Sequence, residues 1–409
     1  MESKKGTLTQ PAVLWLQVWG LAAVQGAITL TWVIYNLYLP QLLSQFDFPK
    51  QLAVGLLIFE NALAVLMEPL MGGLSDQTKR WVGSRFPFIS VGVVLSSALF
   101  IAIPSVVIFG KPVGLARGVL PLVLVAWALA MTVFRSPAVS LLGRYAKPAE
   151  LPLAASLLTL TGGVIGAFKP VANQFVLSLG PVFVFAIGSL VLLGAATVLR
   201  QVDSHVATSN STANTTTSQP LSIPALALIL GTGVSVGWGT RFLMETLPKV
   251  LKAYLGVTNV DWLMVGIALL LALAALPAGA CAIRLGNRRA MLIGIGVTVL
   301  LFQLMVFMPK GLPLEAVIVS LVAALSLVIN GAVPFALELV PPRWAGLGTG
   351  MYFGGAAAAV SLFGMAFPQA KAITPAAGAI GGTVIFLVAA LCITASIKVQ
   401  PAQYDVVNE

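Results

Sequence analysis

Residues 68–87 read Glu68-Pro69-Leu70-Met71-Gly72-Gly73-Leu74-Ser75-Asp76-Gln77-Thr78-Lys79-Arg80-Trp81-Val82-Gly83-Ser84-Arg85-Phe86-Pro87 and separate two strongly apolar segments. Glycines, one aspartate and the bases Lys79, Arg80 and Arg85 are gathered there, as in a tight polar connection between membrane spans. The segment before it carries Glu60 as well as Glu68. A carboxylate in the hydrocarbon region is costly and usually faces a cavity or a partner.

Apolar segments recur on both sides of this stretch. Of 409 residues, 58% are hydrophobic and 9% charged, whereas soluble domains carry about 25% charged residues. Runs of about twenty apolar residues suffice to cross a bilayer. They fall at roughly 13–39, 52–71, 87–109, 118–141, 151–178 and 181–199, then 223–246, 261–283, 289–308, 313–339, 345–368 and 374–397. The expectation is an all-α membrane protein of twelve transmembrane helices in two six-helix bundles. No small-residue cleavage site follows the first run, so it reads as a membrane helix and not a secretory signal.

The domain expectation is a tail at 1–12, a bundle at 13–199, a linker at 200–222, a second bundle at 223–398 and a tail at 399–409. Within the linker, nine of the twenty residues 201–220 are Ser or Thr, which marks a flexible segment. It includes the sequons at Asn210 and Asn214. The net charge of +10 lies mostly on the connections that share a side with residues 72–86. That asymmetry follows the positive-inside rule, places both termini in the cytoplasm, and argues for a lipid bilayer and against nucleic acid as partner. Cys281 and Cys392 sit in apolar spans and read as small hydrophobes.

Charged groups inside or near the spans are Glu60, Glu68, Arg135, Lys169, Arg241, Glu245 and Glu338. Glu68 and Arg135 lie at similar depth and can pair if their helices touch. Glu60 is a coupling or solute group, a partner of Lys169, or an unpaired acid. Arg241 and Glu245 have the i, i+4 spacing of a helix-surface pair. On the first helix Gln25, Thr29, Trp32 and Asn36 share one stripe. Amide, hydroxyl and aromatic groups together suit a sugar, although Trp32 and Tyr35 also fit an interfacial belt. Asn330, in the tenth span, is the matching candidate in the second half. Gly346, Gly350 and Gly354 form a ladder for close helix packing, and Gly162 with Gly166 can do the same in the fifth span. No nucleophile–base set, metal-ligand cluster or phosphate loop is present, so neither an enzyme nor a cofactor is expected.

The run Gly72-x-Leu74-Ser75-Asp76 with its basic turn resembles the signature loop of the major facilitator superfamily. Glu68-Pro69-Leu70-Met71-Gly72, and the spacing from Asp76 to Gly83, Arg85 and Pro87, resemble the sucrose-type and glycoside–pentoside–hexuronide cation symporters. Phe134-Arg135-Ser136-Pro137 and Val340-Pro341-Pro342-Arg343 look similar to other turns of those transporters. The resemblance implies a monomeric secondary transporter of the plasma (inner) membrane, working by alternating access on a sugar or glycoside. Gly72, Asp76, Arg80, Gly83 and Arg85 would form its cytoplasmic gate, with Asp76 meeting Arg80, Arg85 or a helix N-terminus. A carboxylate before this proline belongs to the cation site of melibiose-type members. The second carboxylate expected one turn earlier is replaced by Ala64, which favours H+ over Na+, or no coupling. The alternatives are a multidrug or metabolite exporter on the same fold, and a non-transporting assembly or pigment-binding factor.

Overall fold

A computed structural model describes residues 12–49, 51–110, 117–172, 176–207, 220–307, 313–368 and 372–399. It is all-helical apart from one isolated backbone bridge, Val13 to Ala146. Twelve spans among these residues are long and apolar enough to cross a membrane, which makes the chain a multi-pass membrane protein. The first half contains α1 (Trp15–Gln45), α2 (Gln51–Val82), α3 (Phe86–Phe109), α4 (Val119–Val139), α5 (Leu151–Ala167) and α6 (Pro181–Ala207). The second contains α7 (Ile223–Leu255), α8 (Asp261–Leu273 continued by Ala275–Leu285), α9 (Asn287–Phe307), α10 (Leu314–Leu339), α11 (Ala345–Ala366) and α12 (Pro375–Ala395).

The stretch expected to be a tight connection is mostly helix. α2 runs on through Gly72 and Asp76 to Val82, and only Gly83-Ser84-Arg85 turns the chain. Each interior glycine disfavours helix by about 1 kcal/mol relative to Ala. Here the glycines are stabilised by close packing: Gly72 is buried against the backbone of Gly346 and Leu347. Termination comes at Gly83, whose φ of +77° is left-handed and whose N–H donates to Lys79 O at 2.9 Å.

Four other boundaries differ, two of them because the first and seventh spans run past 39 and 246 to Gln45 and Leu255. The fifth span, expected to reach 178, stops at Ala167, because Pro170 disfavours helical backbone just before it. The sixth extends past 199 to Ala207 and takes in the first residues assigned to the linker. Asp203 holds that extension in place. It is 3% exposed, accepts from the Tyr145 hydroxyl at 2.8 Å, and meets Arg144 Nη1 at 3.2 Å. Asp203→Ala leaves both donors without their acceptor. It is expected to cost about 3 kcal/mol, the low end for a broken buried pair because Arg144 is partly exposed. Asp203→Asn, which keeps an acceptor for Tyr145, should cost less, and thermal melting of the purified protein checks the order. The sequons at Asn210 and Asn214 and most of both tails lie outside the described residues.

Each half has its own core. Trp127, Phe100, Phe185 and Tyr35 centre the first, and Phe302, Phe335 and Phe386 the second. The halves meet where α2 crosses α11 and where α5 packs on α8 and α10. The Gly346–Gly350–Gly354 ladder makes the α2–α11 approach possible. A Cβ on Gly354 would stand 2.9 Å from Val65 O, and one on Gly350 would stand 2.8 Å from Pro69 Cα. The contact extends to the far end of α2, where Ser361 Oγ donates to Ile58 O at 3.1 Å.

Candidate functional site

Asp76 lies fully buried on α2 at the seam between the halves. The Arg85 guanidinium forms an ion pair with it, Nε lying 3.2 Å from Oδ1. From the other half, the N–H groups of Gly346 and Leu347 donate to its two oxygens at 3.0 and 2.8 Å. These are the first turn of α11, where unsatisfied N–H groups and the helix dipole favour an anion. Asp76 therefore meets Arg85 and the helix N-terminus together. Arg80 does not reach it, because its guanidinium lies 4.4 Å above the Trp344 ring. Gly72 is the close-packed residue one turn earlier, and Gly83 ends the helix so that Arg85 can fold back.

Further contacts join the halves at this same end. Asn330 Nδ2 donates to Pro152 O at 2.9 Å, and Thr159 Oγ1 donates to Asn330 Oδ1 at 3.2 Å. Thr349 Oγ1 donates to Ser136 O at 3.1 Å. Asn330 was expected to face a solute. Instead both ends of its amide are taken by α5 and it does not line the central cavity. In this conformation it is a clasp between the halves.

Between the halves lies a cavity of about 370 Å³. Gln25 and Thr29 of α1, Thr159 and a run of small residues of α5, Ala272 of α8, and Tyr352 and Phe353 of α11 line it. The expected α1 stripe thus divides. Its first two members face the cavity, and Thr29 Oγ1 also donates to Gln25 O at 3.0 Å. Trp32 lies against Trp127 and Tyr35 instead, and Asn36 Nδ2 donates to Trp32 O at 2.6 Å. Gly162 and Gly166, expected at a helix contact, also line the cavity.

The buried charges sit beside this cavity, inside the first half. Glu68 is fully buried; Arg135 Nη2 lies 2.5 Å from its Oε1 and the Ser136 hydroxyl donates to Oε2. The Arg135 guanidinium also stacks 4.7 Å above Phe353, the ring that lines the cavity from the other half. Glu60 is 3% exposed and accepts a hydrogen bond from the Tyr35 hydroxyl. It does not pair with Lys169. That residue lies beyond the end of α5, is exposed, and is repelled by Arg241 of the second half. Arg241 in turn is attracted to Glu245 one turn along α7. The partners missed from sequence are mostly uncharged: Ser136, Thr159, Thr349 and Phe353. Ser136 had a signal in its place beside Arg135.

Solved structures superpose on this arrangement over nearly its whole length. A bacterial homologue of the iron transporter ferroportin, in its outward-facing state, matches with a TM-score of 0.72 and 15% identity, covering 93% of this chain and 99% of its own. The fold is that of the major facilitator superfamily. The proton:xylose symporter XylE bound to 6-bromo-6-deoxy-D-glucose matches at 0.70 and 13% identity, over 96% and 97% of the two chains. The human organic anion transporter MFSD10 matches at 0.65 and 15%, over 94% and 100%. No family model matches the sequence, and no curated protein matches it either. The resemblance in the 68–87 stretch is therefore supported at the level of the superfamily fold.

Proposed function

We propose that this chain is a secondary transporter that carries a small organic solute across the membrane by alternating access. One observation carries the reading: both halves line a central cavity, and at the Asp76 end they are joined by polar contacts that can be made and broken. A bistable interface of that kind is what a rocking transporter requires. The proposed orientation puts the Asp76 end and both termini in the cytoplasm, with the chain acting as a monomer in the plasma membrane.

The solute we propose first is a sugar or glycoside. Gln25 and Thr29 offer an amide and a hydroxyl, and Tyr352 and Phe353 offer rings against which a sugar face can lie. A second reading, export of a less polar metabolite, is favoured by the rest of the lining. Val139, Leu158, Leu271, Ile329 and Val333 give a polyol little to bond to. Screening sugars and apolar metabolites by thermal shift separates the two.

For coupling we propose a proton carried by Glu60. Glu68 already has a cation in Arg135, whereas Glu60 is buried with only an uncharged hydroxyl bonded to it. A buried carboxylate without a counter-charge is costly, so gain and loss of a proton there favours different packings of the halves. In proteoliposomes, a pH gradient is expected to drive solute uptake. Glu60→Gln is expected to abolish that drive while leaving solute exchange without a gradient. Uptake indifferent to the gradient in the parent protein would sink proton coupling.

A further inference from the structure

Behind the cavity, within the first half, lies a small chamber lined by Trp32, Glu60, Asn61, Glu68, Thr132 and Arg135. Its volume is about 20 Å³. Roughly 10–15 Å³ is enough for one water molecule. Four buried polar atoms on these residues have no hydrogen-bond partner: Trp32 Nε1, Arg135 Nε, Glu60 Oε2 and Glu68 Oε1. The last lies against the Arg135 guanidinium as an ion pair without a well-directed hydrogen bond. Asn61 Nδ2 and Thr132 Oγ1 are already spent on the carbonyls of Leu57 and Leu129.

The chemistry of the four atoms identifies the ligand. Two are N–H donors and two are carboxylate acceptors, and a water molecule accepts two hydrogen bonds and donates two. A sodium ion does not suit the same chamber, because two N–H groups, one of them on a guanidinium, would face it. We infer that this chamber binds a single structural water, which accepts from Trp32 and Arg135, donates to Glu60 and Glu68, and links the two carboxylates.

The linkage has a consequence for coupling, which rests on the proton-carrying role of Glu60 proposed above; the water site itself does not. When Glu60 carries the proton, its O–H donates to the water in place of the Trp32 N–H. As that O–H bond breaks, the proton joins the water oxygen, another water O–H breaks toward Glu68 Oε1, and Trp32 again donates to the water. The water is unchanged, Glu60 becomes the anion and Glu68 becomes neutral. Arg135 then loses its carboxylate partner and is freed to move against Phe353 at the cavity wall. The charged and titratable groups around the relay are Tyr35 on α1, Glu60 and Glu68 on α2, Arg135 on α4 and Tyr352 on α11. The position of one proton is thereby tied to a side chain that contacts the solute cavity.

A structure of the full-length protein at a resolution that shows ordered water is the direct test. The expected result is one density peak within hydrogen-bonding distance of all four atoms, present with or without sodium in the buffer. No peak, or a peak that requires sodium and touches oxygens alone, would overturn the proposal. Trp32→Phe supplies a second readout, because it removes one donor to the water and keeps a ring. The infrared carboxyl band assigned to Glu60 by its loss in Glu60→Gln should shift in Trp32→Phe. An unmoved band would count against the water. Failure of pH-driven uptake in the parent protein would remove the relay's function but not the density peak, so the two readings fail separately.

Discussion

Asp76→Ala is expected to open the end of the molecule that this residue now holds closed. The substitution removes the partner of buried Arg85 and the acceptor for the Gly346 and Leu347 N–H groups in the first turn of α11. Breaking a buried ion pair from one side costs about 3–5 kcal/mol, and each 1.4 kcal/mol is about tenfold in an equilibrium. The closed form should therefore lose a factor of roughly 100 or more relative to the open one. A cysteine in place of Thr29, in a background lacking Cys281 and Cys392, reports this through its rate of reaction with an impermeant reagent added from the Asp76 side. Labelling should accelerate by a similar factor. Asp76→Asn, which keeps a carbonyl acceptor for α11 but loses the charge, should fall between. If all three proteins label alike, Asp76 is not a latch.

Gly350→Val is expected to be as severe for a different reason. The added Cβ would meet the backbone of Glu68 and Pro69 on α2, where no flexible side chain can give way. Overpacking costs about 1–3 kcal/mol when neighbours can shift, and here two helices must separate along their crossing. The same movement carries Gly346 and Leu347 away from Asp76, so closure and solute flux should fall together. Gly194→Ala provides the control, since a Cβ there meets nothing within 4 Å. Flux should collapse in Gly350→Val and persist in Gly194→Ala. Equal activity in the two would show that the α2–α11 approach is not needed.

The spans were legible in the sequence because hydropathy over twenty residues is a direct record of the surrounding lipid. The Glu68–Arg135 pair was legible for a related reason: each charge is costly in a membrane, and few partners lie at the same depth. The 68–87 stretch was harder. Gly72-Gly73-Leu74-Ser75 has the local chemistry of a turn, yet it is helical because α11 packs on it, and no local pattern records that packing. The partner of Glu60 was hidden too, since the hydroxyl of Tyr35 carries no charge to betray it. Asn330 stands out in the sequence as a polar group in an apolar helix. Its partners on α5 depend on how the halves dock, which lies beyond any single-helix pattern.

Distances measured at both ends of the molecule test alternating access most directly. One pair of spin labels, at Trp81 and Leu285, spans the halves at the Asp76 end, and both positions are exposed. A second pair, at Gln45 and Lys252, spans them at the opposite end and is exposed as well. Across solute, pH and the Asp76→Ala variant, one distance should lengthen whenever the other shortens. Two distances that stay fixed under every condition, or lengthen and shorten together, would contradict the rocking of the two halves about the central cavity.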